Sequence, residues 1–232
     1  DDDDGEAVCP TSPPVRSSAT MSDAATDATD ATAANAAAAV ACVRLARTCC
    51  DWGAIPPEMD VAQRRGSDGA DTLPGTLPLD RIERKRQQVR NMVVFAAPLI
   101  RDGIRQRRWE EEQREECRRR RRRQSSDRKD SEQTNTAPRK FTVVDFCCGS
   151  GWQSLPLAFA FPDATFVLID CKARSLDVAR ERAARAGLRN VRTLLLSIER
   201  FQEPFDLGLA LHACGLASDI SMEKCVRAGA AF

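Results

Sequence analysis

The sequence predicts an α/β fold, a parallel sheet with helices on both faces. Three observations carry this. Short apolar runs alternate with helical stretches from residue 141 onward. Those runs are apolar at successive positions, as in strands buried on both faces. Turn residues separate them, and strand-helix alternation of this kind winds into a doubly covered sheet with right-handed crossovers.

The elements follow in order. Phe141 to Phe146 (FTVVDF) is the first strand, running into Cys147-Cys148-Gly149-Ser150-Gly151. Trp152 to Phe161 reads as a helix whose Pro156 must lie in its first turn. After the Pro162-Asp163 turn, Thr165 to Ile169 is the second strand, ending at Asp170. Ala173 to Ala186 is amphipathic, with Leu176, Ala179, Ala183 and Ala186 on one side and Gly187 as its stop. Val191 to Leu196 is the third strand, Asp206 to Leu211 the fourth, and Ser218 to Ala228 a closing helix.

The rest of the chain is organised by charge. The net charge is −9 over residues 1–80, +10 over 81–140 and 0 over 141–232. Residues 1–38 hold only Val8, Val15 and Met21 as sizeable aliphatic side chains, too few to offset about 1–2 kcal/mol of ordering entropy per residue, so disorder is expected there. The Ala-rich part from Ala33 to Arg47 reads as a short helix, the breaker-rich residues 53–78 as a linker or an ordered loop, and 39–78 is taken as the helix-and-linker segment. Cys49-Cys50 lacks metal-ligand spacing and reads as two idle thiols.

Residues 79–104 read as a basic amphipathic helix opened by an Asp80/Glu83 capping box. Ile82, Val89, Met92, Phe95, Leu99 and Ile100 fall on its apolar face, with Arg84, Lys85, Arg86 and Arg90 largely opposite. Pro98 is expected to end or kink it near Ala97. Residues 105–140 read as a charged insertion and linker. It carries Glu115–Arg119 and Glu116–Arg120 pairs and the run Arg118 to Arg123, which could serve nuclear import or grip RNA non-specifically. The basic segment 84–128 makes RNA the expected partner.

Composition excludes several classes. No run approaches the roughly 18 apolar residues of a membrane span. The acidic start, Asp1 to Asp4, is unlike a signal peptide, and ten cysteines in 232 residues are too sparse for a disulfide scaffold. Reduced thiols in an intracellular protein, cytoplasmic or nuclear, are the expectation.

Ligands of parallel sheets sit at the carboxyl ends of strands. That places the candidate site at Asp145 to Gly151, Asp170, Ser197 to Glu199 and His212 to Gly215. Gly149 and Gly151 let the backbone turn and approach a ligand, and the helix start beyond them favours an anionic group. Asp170, 19 residues past Gly151, is placed for both hydroxyls of a ribose. A dinucleotide such as NAD wants a third glycine, and Trp152-Gln153-Ser154 stands there instead. Asp145, four residues before Gly149, repels a pyrophosphate but suits a cation, which favours S-adenosylmethionine.

With these residues in view, the runs VVDFCCGSG, VLID, NVRTLLLSIERF and FDLGLALHACG resemble the first four strand-and-loop motifs of class I S-adenosylmethionine-dependent methyltransferases. More narrowly, LPLDRIERKRQQVRN, VVDFCCGSGWQSLPLA and LALHACGLASD are similar to the methyltransferase part of the glutathione S-transferase C-terminal domain-containing family. The resemblance covers roughly residues 77–103 and 141–232. It implies a Rossmann-like sheet and a cofactor site in which Asp145 binds the amino acid end, Cys147, Gly149 and Gly151 line the floor, Asp170 holds the ribose, and Ser197 and Ile198 flank the adenine. The family pattern has Gly where Cys147 stands and commonly an acid or amide where Ser197 stands.

The family sheet has seven strands. Four and the start of a fifth are legible here, so residues 141–232 are expected to be an incomplete methyltransferase-like domain, in a fragment of a longer protein, with the fourth strand as an exposed edge. No metal is expected. His212 could be a general base or a backbone-bonded strand-end residue. Cys214 could be a nucleophile, but reads better as a small packing residue. Asp145, Asp170 and the glycines could serve only as caps and turn formers. Three functions stay open: a methyltransferase domain with RNA favoured over protein as acceptor, a non-catalytic module derived from one, and an NAD-dependent oxidoreductase.

Overall fold

The structure, a computed structural model, describes residues 40, 43–44, 47–60, 79–124 and 139–232. The expected disorder of residues 1–38, most of the Ala-rich helix, and the linkers over 61–78 and 125–138 lie outside the described residues.

Four strands form one parallel sheet: β1 (Thr142–Phe146), β2 (Thr165–Asp170), β3 (Val191–Leu195) and β4 (Leu207–Leu209), in the order β3-β2-β1-β4. The helices are α1 (Leu79–Gln124), α2 (Ser154–Ala160), α3 (Ala173–Arg185) and α4 (Leu216–Ala228). The expected fourth-strand edge is partly covered, because Ala231 forms an isolated parallel bridge with Leu207. Two backbone bonds secure it, Gly208 N to Ala231 O and Ala231 N to Asp206 O.

Because side chains alternate along a strand, β1 and β2 feed two separate cores. Val143, Phe166 and Leu168 face one cluster, with Leu155 and Leu157 of α2, Leu176 and Ala179 of α3, and α1. Val144, Phe146, Val167 and Ile169 face the other, with Ile198, Phe201, Phe205 and Cys225. Phe146, Phe201 and Phe205 meet there at centroid separations of 5.7 to 6.2 Å. The sheet is covered on both sides, as its doubly apolar strands require.

Helix α1 departs from expectation in three ways. It does not end at Pro98 but runs on to Gln124, so residues 105–124 are helix rather than a loose insertion. Buried Val93, Ala96, Ala97 and Ile100 hold the chain on both sides of the proline, and the i,i+4 bonds Arg119–Glu115 and Arg120–Glu116 support the outer part. Its buried stripe is Ile82, Val89, Val93, Ala96, Ala97 and Ile100, while Phe95 is 73% and Leu99 45% exposed. Finally, Asp80 lies inside the helix and bonds Arg84 instead of capping it.

Arg86 and Asp206 join α1 to the rest of the protein. Arg86 donates to Asp60 and lies 5.7 Å from the Trp52 ring centroid, pinning residues 49–60, whose Cys49, Cys50, Ile55 and Met59 are buried. Burial pushes the Cys49 thiol up to about 11 and that of Cys50 to about 12, which keeps both neutral and inert. Asp206 accepts from Arg107 of α1 at 2.6 Å, from Arg139 at 2.6 Å and from the Thr142 amide at 2.7 Å. Burial alone would raise its pKa, but these partners outweigh it and hold the carboxyl low.

Candidate functional site

The loops beyond β1 and β2 meet at one place. Asp170 closes β2, and its Oδ2 accepts the Gly149 amide at 2.8 Å while Oδ1 accepts the Lys172 amide at 2.9 Å. One carboxylate thus ties the glycine loop to the start of α3. A carboxylate offers about four lone-pair sites, so two remain for hydroxyl donors.

The glycine loop is shaped by backbone conformation. Gly151 has φ +75°, and a Cβ there would come within 3.0 Å of Leu168 and 3.1 Å of Leu155. Gly149 has φ +55° and open space where its Cβ would stand. Cys147, between them and the strand, holds φ 58° without being glycine, a conformation that costs about 1–2 kcal/mol. Its thiol is shifted upward by burial and by Asp170 nearby. Cys148 is buried, and burial with the Asp145 and Asp170 charges pushes it far above the ordinary thiol range.

Asp145 is only 1% exposed. Gln153 Nε2 and Ser154 Oγ each donate to it at 2.5 Å, so it anchors the start of α2. Burial raises its pKa to about 7, against the lowering effect of those two donors. The two acids therefore differ: Asp170 binds the loop backbone at the strand tip, while Asp145 is withdrawn beneath it. Sequence reasoning missed Gln153 and Ser154, although two polar residues opening an otherwise apolar helix were the available signal.

The remaining candidates separate. Ser197 precedes a short 3-10 turn, Ile198–Arg200, beyond β3. Ile198 is 7% exposed and packs in the aromatic core, so its side chain belongs to the fold. His212 and Cys214 are both exposed on the loop after β4. Cys214 Sγ lies 3.6 Å from the His212 carbonyl, and its exposure overturns the packing role expected of it. Among the described residues no group of three or more His, Cys, Asp or Glu is arranged to hold a metal, and no helix is long and apolar enough to cross a membrane.

These residues fit S-adenosylmethionine in two respects. The carboxylate at the tip of β2 keeps acceptor capacity for ribose hydroxyls, and the loop beside it carries no side chain at Gly149 or Gly151. A parallel sheet in this order with a glycine loop at the strand tips is the arrangement of Rossmann-like, S-adenosylmethionine-dependent methyltransferase domains. Residues 143–230 match the family model described as a methyltransferase domain. The chain is 41% identical over 99 residues to the glutathione S-transferase C-terminal domain-containing protein of Xenopus laevis, covering 43% of this chain and 16% of that protein. It is 31% identical over 156 residues to the Drosophila melanogaster homolog, covering 67% of this chain and 20% of the relative. It is 38% identical over 65 residues to ribosomal RNA small subunit methyltransferase G of Porphyromonas gingivalis, covering 28% of this chain and 29% of that enzyme. The chain thus spans a sixth to a fifth of the glutathione S-transferase C-terminal domain-containing proteins it resembles.

Proposed function

We propose that this chain contributes the cofactor-binding part of a methyltransferase acting on RNA. The observation that carries it is the double bond-making of Asp170, which joins the glycine loop to the start of α3. When bound, S-adenosylmethionine supplies an electrophilic methyl group on a sulfonium. In this reading Asp170 receives the ribose hydroxyls, Gly149 and Gly151 permit close approach, and Ser197 borders the adenine. Asp145 acts as a positioning residue that holds Gln153 and Ser154, and with them the loop. Catalysis then rests on orientation, which can supply a large share of the barrier reduction. His212 and Cys214 stand exposed at the tip of β4, where an acceptor would approach.

RNA is favoured because one relative acts on ribosomal RNA and because the middle of the chain is strongly basic. The test is calorimetric titration of the purified chain with S-adenosylhomocysteine and with NAD, followed by methyl incorporation into an RNA pool and a protein pool. Binding of S-adenosylhomocysteine alone, with label in RNA, is expected. Label in protein would replace the acceptor. Binding without any turnover would favour the non-catalytic module, and binding of NAD the oxidoreductase.

A further inference from the structure

A groove of about 620 Å³ lies at the amino ends of the strands, opposite the glycine loop. Thr165 and Val191, the first residues of β2 and β3, line it, together with the end of α2 and the loop that joins α3 to β3. Its wall is apolar at Phe159, Pro162, Leu188 and Val191. Phe159 is 43% exposed, although residues 154–158 of the same helix are buried. Three cations stand around the groove: Lys140, Arg189 and Arg192. Arg192 is matched by Glu203. Lys140 and Arg189 are exposed, and among the described residues their side chains have no hydrogen-bond or ion-pair partner. None of the described residues lining the groove is acidic.

The groove is also preformed. Asn190 Nδ2 lies 3.0 to 3.1 Å from the carbonyls of Ala158, Phe161 and Ala164, and the Asn190 carbonyl accepts the Phe166 amide at 2.8 Å. One side chain thus ties the end of α2, the turn after it and the start of β3 together, so no wall has to be ordered when a partner arrives. An apolar recess takes a bulky side chain, and two unmatched cations at its rim favour acidic flanks. A single-stranded nucleic acid asks for a track of cations and several aromatic faces, and this recess offers one aromatic ring. We propose that the groove docks an acidic peptide segment carrying one bulky apolar anchor. The anchor packs against Phe159, Leu188 and Val191, and its flanking carboxylates meet Lys140 and Arg189. The inference is independent of the methyltransferase reading, since none of these residues belongs to the loops at the cofactor end of the sheet.

The test uses the full chain and fluorescein-labelled heptapeptides of Asp and Glu whose central residue is leucine, phenylalanine or serine, read by anisotropy. The leucine and phenylalanine peptides should bind, and the serine peptide about tenfold more weakly. The double variant Lys140→Glu/Arg189→Glu should weaken the anchored peptides about tenfold at low salt and less at high salt. Phe159→Ala should weaken them about fivefold at either salt. Urea midpoints check the fold, and the double variant carries the test if Phe159→Ala is unstable. Equal affinity of the native chain and the double variant for the leucine peptide would overturn the site. So would equal binding of the serine and leucine peptides, or no binding of either anchored peptide. A single-stranded oligoribonucleotide that displaces the leucine peptide, and that itself loses affinity in the double variant, would make the groove a nucleic-acid contact and overturn the peptide. S-adenosylhomocysteine affinity is measured on the same samples and should be equal in all of them. Its absence from the native chain defeats the methyltransferase reading and leaves the groove to be judged by the peptides.

Discussion

The tips of β1 and β2 both carry an aspartate, one strand apart in the same sheet, yet they do opposite things. At the tip of β2, Asp170 spends one oxygen on the Gly149 amide and the other on the Lys172 amide. At the end of β1, Asp145 is sealed under Gln153 and Ser154, with a pKa raised by burial to about 7. The same residue type therefore ties loop backbones together in one place and anchors side chains beneath the loop in the other. Position at a strand end nominates a residue, and burial with its partners decides the role.

Several substitutions break or sharpen this contrast. The largest effect is expected from Gly151→Ala. The left-handed backbone and the nearby Leu155 and Leu168 side chains should cost about 3 kcal/mol of stability, read by urea denaturation, with S-adenosylhomocysteine binding lost as well. Asp145→Ala comes next. It strands the Gln153 and Ser154 donors inside the protein, for about 2 kcal/mol, and a stability unchanged within error would mean that Asp145 is no anchor.

Asp145→Asn sharpens the comparison through pH. The folded pKa lies above the ordinary value, so folding takes up a proton between about pH 4 and 7. Stability from this group therefore falls as pH rises through that window, by at most about 1.4 kcal/mol per pH unit. The asparagine variant should flatten that decline in denaturation midpoints, and an identical decline in both proteins would assign it to other groups. The smallest effect belongs to Cys147→Gly, which relieves a positive φ and should gain about 0.5 kcal/mol after the extra chain entropy of glycine is counted.

Strands β1, β2 and β4 were legible in the sequence because they are buried on both faces, and the half-buried β3 because turns bracket its apolar residues. The glycine loop and Asp170 were legible for the same reason, since strand ends in such sheets are where sites form. The length of α1 was not. A proline and a block of like charges argue against a helix locally, and only the packing of Ala96, Ala97 and Ile100 across the proline reverses that. The orientation of Ile198 into the aromatic core and the capping of Asp145 by Gln153 are tertiary facts, invisible to spacing. Arg182 looked like one more charge on an amphipathic helix, and its burial depends on Glu58, 124 residues earlier.

The central claim is that Asp170, and not Asp145, meets the cofactor's ribose. It is tested most directly by calorimetry of S-adenosylhomocysteine binding to the native chain, Asp170→Ala and Asp145→Asn. A hydrogen bond to a charged group is worth roughly 1.5–3 kcal/mol, so Asp170→Ala should raise Kd about tenfold to a hundredfold. Asp145→Asn should leave it within about threefold. Equal affinities for Asp170→Ala and the native chain would contradict the account.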